Sequence, residues 1–184
     1  MFNPKFYLFD MLSTLNYARW AGISFVLLFI FGFYGLGYLP NRLFHYGQAQ
    51  LSLDQILNHS NLLHAGISAS ILMNIASLFL ALFVMLWLSK FSKIAGLSAA
   101  LLLSTGALIS LLNETNSIAL LHWSEKGVLE EIKFYLHQYR KGIYIATLFW
   151  GLWLFPPAIA MMRKNSGLMI AGLLLFISGL GRLA

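Results

Sequence analysis

Residues 111–122 read LLNETNSIALLH and set one acid, Glu114, between Asn113 and Thr115, directly after an apolar run. A carboxylate there can accept hydrogen bonds, hold a cation or exchange a proton. Two histidines are the acid–base groups that folding could bring to it: His64, near the start of an earlier apolar run, and His122. His64, Glu114 and His122 together would make a metal or general acid–base site. Local spacing does not support a metal. His59 and His64 are five apart, about 140° around a helix, so they do not form an i,i+4 pair, and no HExxH occurs. With no cysteine in the chain, thiolate zinc and iron–sulfur sites are excluded as well. Haem ligation needs histidines within facing spans, and only His64 comes near one. No GxSxG occurs and no Asp lies within an apolar run. The expectation is a chain with no metal, no cofactor and no catalytic constellation.

Amides and hydroxyls are better organised. Gly66, Ser70, Asn74 and Ser77 are spaced four, four and three apart, so they share one helix face. Gly106, Ser110, Asn113 and Ser117, at four, three and four, do the same in the next apolar run. Such stripes let helices pack closely and hydrogen-bond across. Packing is the preferred reading; the alternative is a polar pathway or ligand pocket between the two runs. Asn74 discriminates best, because a buried amide without partners costs about 1–3 kcal/mol. Trp150 and Trp153 sit in mid-run, followed by Pro156 and Pro157. Each proline lacks an N–H, so carbonyls near Leu152 and Trp153 lose their partners and a kink is expected. An aromatic-lined pocket for an apolar ligand is the functional reading of that segment.

The elements that must position these groups are membrane spans. The chain is 59% hydrophobic and 10% charged, with mean hydropathy +0.76. A hydrocarbon core of ~30 Å needs about 20 apolar residues. Five segments qualify, at about 19–39, 63–88, 94–118, 142–162 and 167–183, and no period-2 pattern competes. The predicted fold is therefore all-α: one polytopic membrane helical bundle spanning 1–184. Shorter interfacial helices are expected at about 4–17, 53–59 and 126–140. Phe2, Phe6, Tyr7 and Phe9 would anchor the first, and Ser52 and Gln55 have capping-box spacing for the second. In the third, Val128, Ile132, Tyr135, Leu136 and Tyr139 form an apolar face opposite Lys126, Glu130, Lys133, His137 and Lys141, as for a helix lying on a bilayer.

The net charge of +6 would suggest nucleic acid in a soluble protein. Here the Lys and Arg sit at the edges of apolar runs, where they set topology, and no basic stripe for nucleic acid exists. Five spans put six basic residues on each side. The N-terminal side concentrates them in the tight turns KFSK (90–93) and RKNS (163–166), so that side is expected to be cytoplasmic. All five histidines and five of the six acids fall on the other side.

The stretches LFWGLWLFP (148–156), IAGLLLFISGLGRL (170–183), ARWAG (18–22) and FLALFVMLWLSKFSK (79–93) resemble a family of bacterial membrane proteins known as a domain of unknown function, DUF4386. The resemblance implies a helical bundle in a bacterial cytoplasmic membrane and carries no activity. The expected role is non-catalytic: an accessory, scaffold, lipid- or small-ligand-binding subunit. The ligand-binding candidates are His64, Asn74, Asn113, Glu114, His122, Trp150 and Trp153. The expected partners are membrane lipids and, through the small-residue faces, another membrane protein or a second copy. The alternatives are a small transporter or channel component with a polar pathway between the second and third spans, or a membrane enzyme with a His/Glu site on the outer face.

Overall fold

The computed structural model describes the backbone of residues 4–163 and 166–183, and the side chains of 15–163 and 168–182. The anchors expected at Phe2, Phe6, Tyr7 and Phe9 lie outside the described side chains. Every described element is helical: α1 (Pro4–Gly32), a π-helical segment (Phe33–Tyr38), α2 (Leu39–Leu43), α3 (Ala49–Asn58), α4 (Ser60–Ser89), α5 (Lys93–Lys126), α6 (Leu129–Leu152), α7 (Phe155–Met162) and α8 (Ser166–Leu183). Four stretches are long and apolar enough to cross a membrane: Leu15–Leu43, Ser60–Ser89, Lys93–Lys126 and Leu129–Met162. Leu168–Arg182 is a shorter apolar helix. This is the make-up of a helical-bundle membrane protein.

The helices run longer than the apolar runs that seeded them. The N-terminal segment expected as a separate interfacial helix is continuous with the first span in α1. α5 has 34 residues, about 51 Å of helix against ~30 Å of hydrocarbon. It continues through NETN and SIALLH because nothing there breaks a helix. It stops at Gly127, whose φ of +67° is the left-handed conformation that ends helices. The Gly127 N–H donates to Ser124 O and the Val128 N–H to Trp123 O, closing the turn. Only two residues then separate α5 from α6, where a long connection was expected.

Of the third expected interfacial helix, at 126–140, Lys126 ends α5, Gly127 and Val128 form the turn, and the part from Leu129 on is continuous with the following span in α6. Ile132, Leu136 and Tyr139 are buried against protein, while Lys126, Glu130, Lys133, His137 and Lys141 are exposed. The second, at 53–59, starts earlier, at Ala49, and buries Leu53 and Ile56. Ser52 is not its cap. It lies in the first turn, where its hydroxyl accepts from His45 N (2.8 Å) and donates back to Gln48 O (3.3 Å).

The chain divides into two compact units. One comprises Met1–Val26, Ser77–Gly106 and Thr147–Ala184. In it α6 breaks at residues 153–154, and α7 restarts with Pro156 and Pro157 in its first turn, as the missing N–H groups require. α8 packs on this break through glycines. A Cβ at Gly172 would lie 2.7 Å from Ala158 O, and one at Gly179 would lie 3.2 Å from Gly151 O. Phe155 and Phe176 meet edge to face at 5.0 Å.

The other unit comprises Leu27–Ala76 and Ala107–Ala146. Its core is built from α2, α3, the start of α4, the end of α5 and the start of α6. It contains Leu39, Leu43, Phe44, Leu53, Ile56, Leu63, Leu120, Ile132, Leu136 and Tyr139. Phe44 and Tyr139 meet edge to face at 5.1 Å. In this unit the π segment brings Gly35 against α4, where its missing Cβ would stand 2.9 Å from Ser70 N.

Candidate functional site

The second unit contains a buried polar seam where the stripes of α4 and α5 meet. On α5, Ser110, Asn113, Glu114 and Ser117 recur at i, i+3, i+4 and i+7, one helix face, and all four are buried. Thr115 points outward, exposed, and bonds back to Leu112 O. Helical periodicity therefore divides the NETN run between interior and exterior. Glu114 is 3% exposed, so it is enclosed by protein.

The seam is held by cross-helix hydrogen bonds. Ser70 Oγ donates to Glu114 Oε1 at 2.5 Å, and Ser117 also hydrogen-bonds the carboxylate. Asn74 Nδ2 donates to Ser70 O (2.9 Å) within α4 and to Ser110 Oγ (3.2 Å) on α5. Asn113 Nδ2 reaches α6, donating to Tyr139 O (3.0 Å), and Asn116 Nδ2 donates to Asn113 Oδ1 (2.8 Å). Two features are unbalanced. Asn74 is fully buried, yet among the described residues its Oδ1 has no hydrogen-bond partner. Glu114 has hydroxyl partners and, among the described residues, no ion pair. A buried carboxylate away from positive charge is costly, and hydroxyl donors offset only part of that cost. Chemically, the seam offers acceptors to a cation or to a hydrogen-bond donor.

Of the predicted site residues, Asn74, Asn113 and Glu114 come together. His64 and His122 do not join them: both are exposed, and His122 lies edge-on to Trp123 at 5.3 Å. Trp150 and Trp153 belong to the first unit. Trp150 covers Gly106, where an added Cβ would lie 2.7 Å from its ring, and its Nε1 is buried without a partner among the described residues. Neither tryptophan lines the groove beside the proline break. That groove, about 630 Å³, is lined instead by residues of α5 and α7 that include Ile94, Phe155, Pro156 and Ile159.

Several supporting residues escaped the sequence reading. Gly142 has no side chain because that of Asn113 occupies the place a Cβ would take. Gly35 permits backbone contact with Ser70. Gly66, already placed on the α4 stripe, makes room for Leu39. The signal for Glu114 was present, since it stands four residues after Ser110 and three before Ser117.

A family model described as a domain of unknown function, DUF4386, matches residues 20–184. No curated protein matches the chain, and no solved structure does.

Proposed function

This chain belongs to the DUF4386 family, a domain of unknown function, and we propose that it is a non-catalytic, ligand-binding integral membrane protein whose site is the seam around Glu114. The ligand is a small cation or a small cationic molecule. One observation carries this reading: a carboxylate 3% exposed whose hydrogen-bond partners are serine hydroxyls. Ionisable groups within spans are expensive and belong to functional sites by default. The unpartnered Asn74 Oδ1 supports it as a second acceptor.

Thermal unfolding of purified protein with sodium, potassium, ammonium and small primary and quaternary amines tests the reading. One class should raise the melting temperature by several degrees, and Glu114→Gln should abolish the shift. A panel with no effect on the wild type counts against the site, and so does a shift that survives in Glu114→Gln.

A transport or channel role is the second reading. It is favoured by the continuity of polar groups from Ser110 through Asn74 and Ser70 to Glu114 and Ser117. Cation flux into proteoliposomes, lost in Glu114→Gln, separates it from binding alone. The enzyme reading with His64, Glu114 and His122 lacks such support, because the two imidazoles are exposed. The compartment that fits is a bacterial cytoplasmic membrane with the N-terminus cytoplasmic, supported by the basic turns at 90–93 and 163–166. Membrane lipids are the immediate partners. An accessory or scaffold role with another protein or a second copy is compatible with the same site.

A further inference from the structure

We propose that the groove between the start of α5 and the length of α7 is a binding site for an acidic phospholipid, with the phosphate at Arg163 and an acyl chain along Ile94, Phe155 and Ile159. This goes beyond the Glu114 reading and rests on residues of the other unit.

The groove is amphipathic along its length. Phe91, Ile94, Phe155, Pro156 and Ile159 supply apolar walls, and Ser92, Ser98 and Arg163 supply polar groups. Its volume of about 630 Å³ lies within the range of small-molecule sites. Ile94 is 80% exposed, and Ile159 is also exposed, so both can contact an apolar chain. Arg163 follows the last residue of the candidate span Leu129–Met162, and Ile94 is the second residue of the span Lys93–Lys126. The polar end of the groove therefore stands where two spans terminate, the level of phospholipid headgroups, and its apolar walls continue into the hydrocarbon.

Charge selects the headgroup. The unit that contains the groove holds seven of the twelve Lys and Arg residues but only one acid, Asp10. The other unit holds five of each sign, so the whole net charge of +6 falls in the unit with the groove. Lys90 and Lys93 flank the groove residues Phe91 and Ser92 in sequence, and Lys93 is exposed. A basic residue near the surface of an anionic membrane changes affinity by about fivefold. A zwitterionic lipid would gain only the apolar contacts. A soluble phosphate would gain only the charge.

Native mass spectrometry of the full chain, titrated with phosphatidylglycerol and phosphatidylcholine of equal acyl length, tests the proposal. Wild type should retain phosphatidylglycerol about fivefold or more over phosphatidylcholine. Arg163→Gln, an exposed substitution, should bring the two lipids to parity, and Arg163→Lys should keep most of the preference. Ala160→Trp, which fills the groove from its lining, should reduce retention of both lipids. Equal retention of the two lipids by wild type overturns the proposal. So does a preference that persists in Arg163→Gln, or lipid retention unchanged in Ala160→Trp. Displacement of the lipid by glycerol phosphate at matching concentration would overturn the acyl-chain part.

Discussion

Ser70 and Glu114 stand 44 positions apart in the chain, and the serine hydroxyl donates to Oε1 of the carboxylate across the α4–α5 interface. The bond fixes the register of two stripes that were each legible alone. Removing it leaves the carboxylate with one fewer donor in a buried place. Ser70→Ala should therefore destabilise the protein by about 1 kcal/mol, toward the upper end of hydrogen bonds within membranes. Chemical or thermal unfolding in a fixed detergent measures it. An unchanged midpoint would show that the bond adds nothing to the packing.

Gly35 and Gly37 lie two residues apart in the same π segment and should respond differently to alanine. A Cβ at Gly35 would sit 2.9 Å from Ser70 N and 3.3 Å from Gly66 O, and backbone cannot move aside. At Gly37 the nearest atom is Phe33 Cδ2 at 3.9 Å, an ordinary contact. Gly35→Ala should cost about 1–3 kcal/mol by overpacking, while Gly37→Ala should be neutral or slightly stabilising. Parallel melting curves of the two variants check the contrast.

Asn74→Leu separates stability from binding. The change removes two donor contacts, to Ser70 O and Ser110 Oγ, and also removes an acceptor buried without a partner. Ser70 O keeps its helical hydrogen bond, and the Ser110 hydroxyl can turn to its own helix backbone. The net change in stability should stay within about 1 kcal/mol. If Asn74 Oδ1 serves the ligand, the ligand-induced shift in melting temperature should shrink far more than the stability does. Equal shifts in the two proteins would remove Asn74 from the site.

The absence of cysteine permits a clean test of topology. Lys93 and Glu125 are exposed near opposite ends of α5. Lys93→Cys should be shielded from an impermeant maleimide added to intact cells and label after permeabilisation. Glu125→Cys should label directly. The reverse pattern would place the N-terminus outside.

Helices and their polar stripes were readable from the chain, because an α-helix repeats every 3.6 residues whatever surrounds it. The same repeat assigns Asn113 and Glu114 to the face of Ser110 and Ser117, and turns Thr115 away. Break points were readable too: Pro156 and Pro157 carry no N–H to donate, and a helix must restart around them.

Three-dimensional packing decided what each face meets. Ile132, Leu136 and Tyr139 were equally suited to a bilayer surface or a protein core, since apolar burial has no direction, and the fold gave them a core. His64, Glu114 and His122 were compatible as a cluster on one side, but rotation about their helix axes sent both imidazoles outward and the carboxylate inward. The sequence alone determined that this protein is a set of membrane-length helices with amides and serines on defined faces, since backbone hydrogen bonding is local. Only the tertiary structure paired Ser70 with Glu114 and left Asn74 Oδ1 without a partner, because partners between helices depend on which faces come together.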